Sequence, residues 1–81
     1  MATLNITYNG MSADVPMELE TRVTDNDIRR IAVEVVRSGG ARGLYIPNLP
    51  NNAFASFVVD RLTGPGGEQR IYLRPKVPFG A

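Results

Sequence analysis

Residues 3–20 read TLNITYNGMSADVPMELE, and this stretch decides the fold. Leu4, Ile6 and Tyr8 alternate with Thr3, Asn5 and Thr7, which is the period of a half-buried strand. Asn9-Gly10 follows, and Asn-Gly is the strongest short signal for a type I′ turn because both positions tolerate positive φ. The alternation then resumes without a break. Met11, Ala13, Val15, Met17 and Leu19 take one face, and Ser12, Asp14, Pro16, Glu18 and Glu20 take the other. A β-hairpin over residues 3–20 is therefore expected. Pro16 has no N–H to give to a neighbouring strand, which favours an edge position for the second half of its strand.

Beyond the hairpin the pattern changes to a helical one. Thr24 is a good N-cap, and Asp27 three residues on completes a short-armed capping box. Asp25 and Asp27 complement the positive end of the helix dipole. Ile28, Ile31, Ala32, Val35 and Val36 recur at i, i+3, i+4, i+7 and i+8 as a single apolar stripe, and Gly39-Gly40 supplies the stop. The expected helix runs over 25–38, and its stripe should face the core. Residues 41–53, rich in Gly, Pro and Asn, read as a loop pinned by Leu44, Ile46 and Leu49. A third strand is expected over 54–62 with Phe57 and Val59 inward. After the turn around Gly64-Pro65-Gly66-Gly67 comes a last strand over 69–74, with Ile71 and Leu73 inward and Arg70, Tyr72 and Arg74 outward. Pro75 and Pro78 end regular structure.

The order is hairpin, helix, two strands. One amphipathic helix must bury its stripe against the apolar face of a sheet, and the first and last strands of such an arrangement lie parallel at the sheet's centre. This is an α+β fold of the β-grasp type: a mixed sheet of about four to five strands on one helix, with one domain over 1–74 and an extended tail over 75–81. The opening hairpin, the capped central helix and Arg70-Ile71-Tyr72-Leu73-Arg74 running into a short tail resemble the ubiquitin-like superfamily. The likeness is one of pattern along the whole chain, closest in character to bacterial ubiquitin-like modifiers.

Composition narrows the chemistry. The 81 residues carry 43% hydrophobic and 21% charged side chains, with a net charge of +1, which is ordinary globular composition with no electrostatic reason to expect nucleic acid or an acidic membrane. Cysteine and histidine are both absent. That removes disulfides, thiolate and imidazole metal sites, cysteine nucleophiles and histidine-based triads. Asp14, Glu18 and Glu20 alternate along a solvent face rather than forming an acid–base pair, and the glycine-rich turn lacks the Lys-Ser/Thr of a phosphate loop. No enzymatic activity and no cofactor are expected. There is no signal-peptide pattern and no apolar run of membrane-spanning length, so a cytoplasmic monomer is the expectation.

The tail carries the functional reading. In the ubiquitin-like family a C-terminal glycine carboxylate is adenylated by an E1-like enzyme and passed to a target. Here Gly80 follows Val77-Pro78-Phe79 and precedes Ala81, so the resemblance implies trimming of Ala81 and activation at Gly80, with Phe79 where the family's own pattern has a second glycine. The implied partners are E1-like and E2-like enzymes, a processing protease and a protein target. Arg70, Tyr72, Arg74 and Lys76 form a candidate partner-binding patch on and just after the last strand, since aromatic and arginine side chains anchor interfaces. A non-conjugated β-grasp adaptor that binds through its sheet, and a small phage or virion assembly component, are the other readings of the same pattern.

Overall fold

A computed structural model of the chain describes residues 2–18 and 23–76. It is an α+β unit whose elements run β1 (Ala2–Tyr8), β2 (Met11–Met17), α1 (Asp25–Ser38), β3 (Val58–Thr63) and β4 (Gln69–Arg74). The four strands form one mixed sheet in the order β2-β1-β4-β3. β1 and β2 are antiparallel, with Tyr8 opposite Met11 across the turn, where Asn9 and Gly10 have φ of 51° and 77° as a type I′ turn demands. β1 and β4 are parallel from Ala2 opposite Gln69 to Ile6 opposite Leu73. The first and last strands thus meet at the centre, as the element order implies, and the layout is compatible with a β-grasp.

The helix has the bounds its sequence predicts. Thr24 Oγ1 accepts the Asp27 N–H at 3.1 Å, and Asp27 Oδ2 accepts the Thr24 N–H at 3.2 Å, closing the capping box. Gly39 ends the helix in the left-handed region at φ 84°, a conformation that glycine adopts without a Cβ clash. The hydrogen bond from the Thr24 backbone and that with its hydroxyl hold the Asp27 carboxyl below its ordinary value of 3.8, with a smaller contribution from Arg30. Because the folded value is the lower one, the cap contributes its full stability above the ordinary value and loses it as pH falls through the folded value. Thr24→Ala should cost about 1 kcal/mol of folding free energy. Acid titration of the variant should lack part of the stability loss that the parent shows below about pH 4. Identical acid profiles would mean that the box does not act in solution.

The core lies between one sheet face, α1 and the loop from Ala41 to Phe57. Leu4, Ile6, Ile71 and Leu73 from the central strands pack with Ala13, Val15, Ile28, Ala32, Val33 and Val36, and with Ala41, Leu44, Leu49 and Phe54 from the loop. Leu44 and Leu49 are buried and Ile46 is half-buried against the core, as expected.

β2 ends at Met17, short of the expected residue 20, with Glu18 past the strand and Leu19 and Glu20 outside the described residues. Two further expectations are corrected. The third strand begins at Val58 rather than at residue 54, because Ala53, Ala55 and Phe57 donate N–H bonds to the carbonyls three residues back, of Pro50, Asn52 and Phe54. These consecutive turns use the donors that a strand would give to its neighbour. Phe57 and Val59 do pack against the core. The buried face of α1 is Ile28, Ala32, Val33 and Val36, and Ile31 is only half-buried. The helix is rotated toward Val33 because the loop docks along the line Arg29, Val33, Arg37. Arg29 Nε and Nη2 both donate to the Phe57 carbonyl, at 3.2 and 2.9 Å. Arg37 Nε donates to the Leu49 carbonyl at 2.6 Å, and the Ile46 N–H reaches the Val36 carbonyl at 3.1 Å.

Candidate interaction face

The other face of the sheet is built from the alternate residues of the same strands. Inward Ile71 and Leu73 force Arg70, Tyr72 and Arg74 outward. The registers then set rows across the sheet: Asp14, Asn5, Tyr72 and Asp60 in one, and Pro16, Thr3, Arg70 and Leu62 in the next. Arg70, Tyr72 and Arg74 are brought together as the sequence predicts. Pro75 and Lys76 follow β4 as exposed, irregular chain. Phe79, Gly80 and Ala81 lie outside the described residues.

The polar groups of this face are mostly satisfied by one another. Asn5 Nδ2 donates to Ser12 Oγ at 2.9 Å and to Asp14 Oδ1 at 2.8 Å. Arg70 Nε donates to the Tyr72 hydroxyl at 3.0 Å, and its guanidinium carbon lies 5.7 Å from the ring centroid. The Tyr72 hydroxyl, with Asp14 and Glu68 adding smaller contributions, holds the Arg70 proton more firmly than usual. Arg70 Nη2 also stands 3.8 Å from Asp14, and Arg74 pairs with Asp60. Each of these two arginines therefore has a carboxylate neighbour, which leaves the face near neutral. Such exposed pairs add little stability; their effect is to hold the side chains in place.

Two residues that the sequence reading did not single out complete the site. Asp60 and Leu62 of β3, with Arg61, Tyr72 and Arg74, line a shallow groove of about 450 Å³, and Leu62 is 58% exposed beside it. Their position was readable in principle. The β3–β4 pairs are symmetric about Gly66, so centring the hairpin on the glycine-rich turn would have placed Asp60 opposite Tyr72.

Among the described residues no cluster of His, Cys, Asp or Glu could hold a metal ion, and no helix is long and apolar enough to cross a membrane. The chain matches no family model, and no curated protein or solved structure matches it.

Proposed function

We propose that this is a β-grasp domain of the ubiquitin-like kind that acts by attachment: cleavage after Gly80 exposes a glycine carboxylate, an E1-like enzyme adenylates it, and the acyl group passes to a nucleophile on a target protein. One observation carries the reading. β4 lies at the centre of the sheet, parallel to β1, and leaves it at Arg74 directly into the exposed Pro75-Lys76. A glycine six residues past the strand is then within reach of an enzyme's nucleotide site while the folded body stays outside. Glycine suits such a channel because it carries no Cβ. The folded domain serves as the handle, and the face around Tyr72 is where partner enzymes or readers of the conjugate dock.

A second reading is favoured by the groove beside Tyr72 and the exposed Leu62: an adaptor that binds a partner through the sheet and never uses its tail. The two are separated by incubating protein ending at Gly80 with ATP and its cognate E1-like enzyme. Conjugation predicts a covalent product with loss of AMP and pyrophosphate, and none with Gly80→Pro. Product from both forms, or from neither, leaves the adaptor reading.

A further inference from the structure

We infer that the edge of β3 left unpaired among the described residues is a strand-addition site for an extended segment of a partner protein in which alternate side chains read apolar, basic, apolar. The inference stands independently of any activation at Gly80.

The backbone sets the site. Thr63 lies opposite Gln69, so Gly64 lies opposite Glu68, and the Gly64 N–H donates to the Glu68 carbonyl at 2.7 Å. Bonded and non-bonded positions alternate along an antiparallel pair. Leu62, Asp60 and Val58 therefore bond across to β4, while Val59, Arg61 and Thr63 direct their N–H and C=O groups away from the sheet. No described strand pairs with that side. Phe57 is next in the outward series, and its carbonyl is already taken by Arg29, so the open ladder begins at Val59.

The opposite edge is different. The two-residue turn makes Tyr8 and Met11 the first bonded pair of the hairpin, and alternation from there turns the nitrogen of Pro16 outward, where it can donate nothing. β2 is thus blocked in the way edge strands usually are. β3 contains no proline, and it presents Val58 and Leu62 to solvent at 37% and 58% exposure.

Charge selects the occupant. A second copy pairing antiparallel through β3 must keep its faces matched, which centres the two fullest registers on Asp60 or on Arg61. The first puts Asp60 against its own copy, and the second does the same with Arg61. Like charges directly opposed destabilise a strand pair. A foreign strand escapes this by placing a lysine or arginine opposite Asp60 and apolar side chains opposite Val58 and Leu62. That pattern reads the same in either strand direction, and its central side chain lies over the groove lined by Asp60, Leu62, Tyr72 and Arg74. Asp60 is already paired with Arg74, so the incoming cation joins a carboxylate held in place.

The test is an NMR titration with the capped peptide Thr-Val-Thr-Lys-Thr-Val-Thr. The amides of Val59, Arg61 and Thr63 should exchange rapidly in the free protein, then shift and gain protection as peptide is added at millimolar concentration. The same peptide with Glu for Lys should bind ~5-fold more weakly, and Asp60→Lys should reverse that order. Arg61→Pro, checked for native circular dichroism, should abolish binding by removing an outward N–H. Absence of binding, equal affinity for both peptides, shifts centred on β2 or α1, or self-association through β3 without peptide would each overturn the proposal.

Discussion

Phe54→Ala is expected to cost about 3–5 kcal/mol of folding free energy. The domain's total stability should lie near 5–15 kcal/mol, so this one change removes a large fraction of it. The side chain is fully buried although its backbone lies in a run of turns. Its ring meets Tyr8 of β1 edge-on at 5.5 Å between centroids and Phe57 at 4.9 Å. Each such pair adds about 0.5–1.5 kcal/mol beyond simple burial. Removing the ring leaves a cavity where the loop, β1 and the start of β3 converge, and turns tied by three backbone bonds cannot collapse into it. The effect should appear as a lower urea midpoint at unchanged slope. A loss below about 1 kcal/mol would mean that the 41–57 loop is not part of the core.

The second large effect distinguishes two isoleucines one helical turn apart. Ile28→Ala should cost about 2–5 kcal/mol, since Ile28 is fully buried within the core cluster. Ile31→Ala should cost clearly less, because Ile31 is half-buried and outside that cluster. Equal losses in parallel urea titrations would restore the stripe that periodicity alone suggests. A larger loss at Ile31 would require the helix to be turned about its axis from the position described.

These two residues mark where the sequence is legible and where it is not. The hairpin, the helix bounds and β4 all follow from short-range physics. Period-two alternation, an Asn-Gly turn, a capping box and a glycine stop each act over a few residues, and they agree with one another. The central parallel pairing follows from how one helix must cover such a sheet. Helix rotation is a different matter. It depends on what packs against the flank of α1, and here that is an aperiodic loop fastened through Arg29 and Arg37 to the carbonyls of Phe57 and Leu49. Nothing in the spacing of those arginines announces a backbone partner 28 or 12 residues away. The start of β3 was hidden for a related reason: Phe54 has the side chain of a strand residue, and only its backbone bonds show that it belongs to a turn.

The candidate site divides along the same line. Arg70, Tyr72 and Arg74 were readable because strand alternation fixes their side of the sheet. Asp60 and Leu62 require the β3–β4 register, and the open backbone ladder at Val59, Arg61 and Thr63 requires its hydrogen-bond phase as well. The face around Tyr72 and the edge of β3 adjoin through the groove they share, so a partner strand and a docked enzyme would compete for the same few side chains. A conjugated domain with this layout would offer its reader both a sheet face and a sheet edge. With eight arginines and a single lysine, Lys76, the body of the domain offers no lysine on which a chain of further copies could grow.

The claim that the domain acts by attachment is tested most directly by tryptic mass spectrometry of proteins from cells that express it. Trypsin cuts after Lys76 and leaves whatever follows on the modified residue. Target peptides should bear a Val-Pro-Phe-Gly branch on a lysine, present with the parent sequence and lost with Gly80→Pro. If the chain is recovered only in free form, with no such branch on any peptide while its own tail peptide is readily detected, attachment through Gly80 is contradicted.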